Sequence, residues 1–127
     1  KDYWHPKMMW YGPCGIGTAR GLMGFINHHQ LPFRKTFKER DYWKLGHYVE
    51  LGDGPYSMTA GWHTIEAIHG TKDWLGYEAT GKPVTMRVMD FYLHNEGLIR
   101  ENWVPIDIMH ILKQIDIDVL NLIKERK

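Results

Sequence analysis

At 127 residues, with 43% hydrophobic and 13% aromatic content, the chain is sized for one domain with a real core and is too apolar for a disordered segment. Sixteen Lys and Arg against fifteen Asp and Glu leave a formal net charge of +1, which offers no broad basic surface and argues against nucleic acid as a partner. The single cysteine, Cys14, rules out an intrachain disulfide, the N-terminal Lys-Asp-Tyr-Trp-His lacks a signal core, and no apolar run reaches the roughly 18 residues of a membrane span, so a cytoplasmic, non-membrane protein is expected.

Lys7–Tyr11 is a short apolar and aromatic run stopping at Gly12-Pro13, which reads as a first strand ending in a turn. A glycine-rich loop follows. Its spacing, Gly15-x-Gly17-x-x-x-Gly21, departs from the dinucleotide fingerprint, and no second strand–helix–strand unit comes after it, so a turn into a helix is the better reading. Thr18 is the expected N-cap of that helix, and Leu22, Phe25, Ile26 and His29 form its apolar face. Pro32 should kink or interrupt it, with Phe33 and Phe37 continuing the face beyond. His28 and His29 are adjacent, so only one can face the interior: His29 is either half-buried packing or a group reaching into a pocket.

Lys35–Lys44 reads as a charged loop, and Trp43–Leu51 as a strand ending at the turn Gly52-Asp53-Gly54-Pro55. Tyr56–His69 is a long strand-like run with Met58, Ala60, Trp62, Thr64, Glu66 and Ile68 on one face and His63 and His69 opposite. Gly61 within it signals a bulge of the kind that bends strands around a cavity. Thr71–Pro83 reads as a loop.

The strongest local signal is a hairpin, Val84–His94 and Leu98–Ile106, joined through Asn95-Glu96-Gly97. Alternation places Val84, Met86, Val88, Asp90 and Tyr92 on one face, so Asp90 is a lone carboxylate on a face that should be buried. Such a group must be paired, hydrogen-bonded or raised in pKa, and raised carboxylates serve acid–base catalysis near neutral pH. After Asp107 a single C-terminal helix is expected, with a stripe from Ile108 through Ile111, Leu112, Ile115, Val119 and Leu122 to Ile123.

Each chemical candidate has a plain structural reading beside it. Asp107 stands where an N-cap belongs, and His110, one turn on, reads first as an ordinary first-turn residue. For Asp90 a salt bridge to Arg87 is disfavoured, because alternation puts Arg87 on the opposite face. Eight histidines raise the question of metal, yet no HExxH, CxxC or spaced carboxylate–histidine set occurs, so no metal is expected. Cys14 has no identifiable base. The six tryptophans, with Tyr11, Tyr92 and Met58, are core residues or the wall of a pocket for a flat apolar ligand.

The succession WYGPCGIGTARGLMGFINHHQLPF, AGWHT, ATGKPVTMRVMDFY and LIRENWVPIDIMHILKQIDIDV resembles the SnoaL-like polyketide cyclase family of the nuclear-transport-factor-two-like superfamily, over nearly the whole chain from about Met8. The resemblance implies one α+β domain over residues 1–127: a cone-shaped, strongly curved antiparallel sheet packed with helices around a deep pocket. It also implies ring closure by intramolecular aldol condensation, or a related proton transfer, with no cofactor and a pocket aspartate as acid–base. Asp90 and Asp107 both stand at acidic positions of the pattern, with His29 as a neighbouring donor. Tyr11, Phe25, Met58, Trp62, Tyr92, Trp103 and His110 are the candidates for binding an apolar carbonyl compound. Such domains usually open with a long helix lidding the cone, whereas a strand stands at the start here. That implies either a fragment or an opening closed by a partner subunit, and with it a homodimer or higher homo-oligomer. The rival readings are a binding module that holds an apolar ligand in the same pocket and a structural dimer module using the outer face of the sheet.

Overall fold

The computed structural model describes residues 2–41, 46–70 and 75–126. Seven strands form one sheet in the order β2-β1-β7-β6-β5-β3: β1 Trp4–Tyr11, β2 Thr18–Arg20, β3 Phe37–Asp41, β5 Tyr56–His69, β6 Pro83–Asn95 and β7 Leu98–Trp103, with β4 Val49–Asp53 also paired to β5. The sheet is antiparallel apart from β1 and β7, which run parallel. The architecture is α+β with a curved, open sheet.

The central hairpin is where local chemistry and fold agree most closely. Glu96 and Gly97 both take positive φ, 52° and 76°, the two-residue turn whose twist matches paired strands. Beyond it Tyr92 pairs with Asn102 and Phe91 with Trp103. Strand β7 stops at Trp103, short of the expected Ile106, because Pro105 interrupts the ladder; Ile106 rejoins only as an isolated bridge to Val88. The β5–β6 register shifts between Trp62 and Ile65, just past Gly61. A Cβ at Gly61 would stand 2.5 Å from the Gly46 carbonyl oxygen, so only glycine permits that approach, and Thr64 donates to the Met86 carbonyl at 3.0 Å beside the irregularity.

Several local expectations are corrected. Thr18 does not cap a helix: it pairs with Tyr11 in a β1–β2 hairpin, and the glycine-rich loop closes that hairpin. The helical rod, expected to be kinked or interrupted at Pro32, runs as α1 Gly21–Phe25, a π-helical turn Ile26–Gln30 and α2 Leu31–Thr36, so the α-helix is interrupted just before Pro32, which sits in the first turn of α2. The turn before the proline widens so that Leu31 N–H bonds the Ile26 carbonyl, and the N–H that proline lacks is not needed. Phe37–Asp41 is a strand within the charged stretch read as a loop, because an edge position tolerates charge and pairing with β5 supplies the ladder. The expected strand from Trp43 is seen as β4 from Val49; residues 42–45 lie outside the described residues, as do 71–74 of the expected loop. The C-terminal stripe is two helices, α3 Ile108–Gln114 and α4 Val119–Glu125. Asp116 takes φ of 69° between them, and Asp118 accepts from Asn121 N–H at 3.1 Å as a fresh N-cap.

Two buried clusters fill the concave side. Phe33, Phe37, Ile65, Val84, Met86 and Ile111 belong to one, and Met8, Trp10, Ala19, Phe25 and Val104 form the other. Val88 and Ile106 touch both. No helix among the described residues is long and apolar enough to cross a membrane.

Candidate functional site

Between the two clusters lies a cavity of about 460 Å³. Strand β6 supplies Val88, Asp90 and Tyr92, as alternation requires; β7 and its extension supply Asn102, Val104 and Ile106; the helical rod supplies Phe25, His29, Gln30, Phe33 and Arg34; and Trp4, Trp10, His47 and Ile65 complete the lining.

Asp90 is the acidic group of this cavity. The Asn102 amide donates to its Oδ1 at 3.1 Å, and His47 Nε2 stands 3.7 Å from its Oδ2. Tyr92 lies two residues along β6 from Asp90 on the same face and lines the same cavity. Burial pushes the Asp90 carboxyl above its ordinary value, while the Asn102 hydrogen bond, the His47 charge and the Tyr92 hydrogen bond pull it back. Burial and the neighbouring Asp90 charge push the Tyr92 phenol upward, so it stays protonated as a donor.

His29 faces Asp90's cavity from the helical rod. Its ring lies nearly parallel to Trp10, with centroids 4.1 Å apart, and tilts against Phe25 and Phe33. Burial lowers its pKa to about 4, so at neutral pH it is an uncharged imidazole, able to donate one N–H.

Of the residues singled out in the sequence, Asp90, His29, Phe25 and Tyr92 come together here. The others do not. Asp107, Met58 and Trp62 line a separate groove on the outer face of the sheet, of about 430 Å³. There Asp107 accepts from His110 N–H at 3.0 Å as the N-cap of α3 and pairs with Arg87 at 3.4 Å. The Arg87 guanidinium lies 4.6 Å over the Trp62 ring. The Gln114 amide N–H donates to His110 Nδ1 at 3.1 Å, and burial, with Arg87 nearby, lowers the His110 pKa. Tyr11 and Trp103 stack on each other at 5.7 Å, away from the cavity. Burial and a hydrogen bond from Tyr11 to Glu101 raise the phenol's pKa.

Sequence reasoning passed over Asn102, His47, Gln30 and Arg34. For Asn102 a signal existed: it alternates with Val104 and Ile106, an amide on an apolar face just as Asp90 is a carboxylate on one. His47 carries none, since it lies outside any strand and reaches Asp90 only through the fold. Among the described residues no group of three His, Cys, Asp or Glu side chains is placed to hold a metal ion.

The family model described as SnoaL-like polyketide cyclase matches residues 1–115. The chain belongs to that family. Solved structures share its fold. IdmH from Streptomyces antibioticus, a candidate polyketide cyclase, superposes with a TM-score of 0.69 at 18% identity, covering 92% of this chain and 84% of IdmH. TsrD from Streptomyces laurentii gives 0.70 at 18% identity, over 90% of this chain and 78% of TsrD. An NTF2-like protein from Burkholderia thailandensis gives 0.69 at 14% identity, over 90% and 80%. No curated protein matches the chain by sequence.

Proposed function

We propose that the concave cavity is the active site of a cofactor-independent acid–base enzyme acting on an apolar, carbonyl-containing small molecule. The observation that carries the reading is Asp90, a carboxylate raised by burial and turned into a cavity walled by aromatic rings. In this reading Asp90 takes a proton from the carbon α to a carbonyl, and the neutral His29 N–H stabilises the enolate oxygen. The enolate carbon then attacks a second carbonyl of the same molecule. Asp90 returns its proton to the new alkoxide, so the ring-closing aldol addition ends with no net proton change. Stopped after the first step, the same apparatus performs proton transfer or isomerisation.

A test that does not require the natural substrate is deuterium uptake in D2O at the α-carbon of α-tetralone, a flat aromatic ketone. The protein should accelerate exchange, and Asp90→Asn should reduce the acceleration at least about a hundredfold while keeping the fold. Equal exchange by both proteins would sink the reading.

One observation favours the non-catalytic alternative: both Asp90 oxygens already have neighbours, Asn102 on one side and His47 on the other, as in a carboxylate that merely satisfies its surroundings. In that case α-tetralone quenches the fluorescence of Trp4 and Trp10 in the cavity wall without exchanging. A second copy of the chain is the partner we read for the outer face. Tyr48, Leu51, Trp62 and Phe91 are exposed there around the apolar groove, and Arg87 Nε is buried with no acceptor among the described residues.

A further inference from the structure

Asn102 is 2% exposed, and its amide nitrogen makes two hydrogen bonds, to the Phe91 carbonyl at 3.1 Å and to Asp90 Oδ1 at 3.1 Å. The first fixes the second. A backbone carbonyl only accepts, so the amide end that meets Phe91 must be the NH2, and its remaining hydrogen is directed at Asp90. The tether is short and rigid, because Asn102 pairs with Tyr92 across the β6–β7 ladder and Asp90 is two residues along the same strand.

We propose that Asn102 is a positioning residue that decides which oxygen of Asp90 exchanges protons. Oδ1 faces a donor in both protonation states, so it stays an acceptor, and the acid proton resides on Oδ2. His47 Nε2, at 3.7 Å from Oδ2, is beyond hydrogen-bond range and leaves that oxygen able to meet a ligand. Asn102 thus does for Asp90 what a fixed orienting group does for a catalytic base: it holds the carboxylate plane and reserves one oxygen for chemistry. The inference rests on the acid–base reading of the cavity, but its geometry can be tested apart from turnover.

The experiment is an NMR titration of the Asp90 carboxyl carbon in the ligand-free protein and in Asn102→Leu, which has similar volume and no donor. Losing a hydrogen bond that favours the charged form should move the Asp90 midpoint upward by about one pH unit. The other titratable or charged groups turned to this cavity are His47 ahead of β4, Tyr92 on β6, and His29 and Arg34 on the helical rod, and the substitution leaves all four in place. A merely structural asparagine predicts a lower thermal midpoint with the Asp90 titration unmoved, and that result in a folded variant overturns the proposal. Should Asn102→Leu fail to fold, the unaltered protein still decides: the Asn102 side-chain NH2 signals should step with the Asp90 midpoint and lose that step in Asp90→Asn. Flat NH2 signals across the titration overturn it equally. If the midpoint moves as stated but Asp90→Asn leaves α-tetralone exchange unchanged, the positioning stands and the enzymatic reading falls; the opposite pattern sinks the positioning alone.

Discussion

Strand β6 divides two hollows of nearly equal volume, about 460 Å³ on the concave side and about 430 Å³ on the outer face, and gives each one charged side chain. Asp90 faces inward, Arg87 outward, as odd spacing along a strand requires. What differs is the surrounding material. Asp90 lies in a cavity walled largely by aromatic rings, and burial is the largest influence on its protonation, ahead of Asn102, His47 and Tyr92. Arg87 lies on a Trp62 that is 64% exposed and pairs with Asp107, both side chains about a third exposed, where solvent screens the pair to at most about 1 kcal/mol. Two hollows of similar size thus differ in how far their charged groups are desolvated. Here one β-strand lines both.

Neutralising the two aspartates separately should separate the two hollows most strongly. Asp90→Asn should cost at least about a hundredfold in α-tetralone exchange, and Asp107→Asn less than about twofold. Comparable losses would mean that the outer groove takes part in the chemistry.

Self-association tests the outer groove alone. Trp62→Glu places a charge at the rim of the outer groove and should weaken any dimer at least about tenfold by sedimentation, leaving the Asp90 titration in place. A protein that is monomeric at micromolar concentration before substitution would remove the dimer reading.

Two titratable groups of the cavity, His29 and Asp90, make opposite contributions to stability. His29 has a folded pKa of about 4 against an ordinary 6.5, so between those values the unfolded chain binds more protons and stability falls as pH falls. Asp90 has a folded pKa above its ordinary 3.8, so the native state binds more protons and stability falls as pH rises past that value. Urea denaturation across this range should therefore show His29→Leu flattening the acid side and Asp90→Asn raising stability at neutral pH. An unchanged profile in both variants would contradict the burial assigned to them.

The smallest expected effect lies outside the cavity. Asp107→Ala removes an N-cap and a screened ion pair, and should cost about 1 kcal/mol in stability. A loss several times larger would mean that the pair is far better desolvated than its exposure indicates.

Much of this was legible in the sequence wherever the physics is local. The β6–β7 hairpin followed from its turn residues and two-residue alternation, and that alternation alone turned Asp90 and Tyr92 to one side and Arg87 to the other. The Asp107 cap followed from its place before an apolar stripe. The family was readable too, because its motifs span the chain. The sequence could not say that β3 forms in a charged stretch, that the rod passes Pro32 through a widened turn, or that the C-terminal stripe breaks at Asp116. Those outcomes depend on pairing partners and neighbouring backbone supplied from elsewhere in the chain. The same holds for the site. Periodicity put Asp90 on the inner face, but only the tertiary structure brought Asn102, His47 and His29 to its cavity and carried Met58, Trp62 and Asp107 to the far side of the sheet. Periodicity fixes the direction of a side chain within its own element, whereas its neighbours, and hence its desolvation, are fixed by how the elements pack.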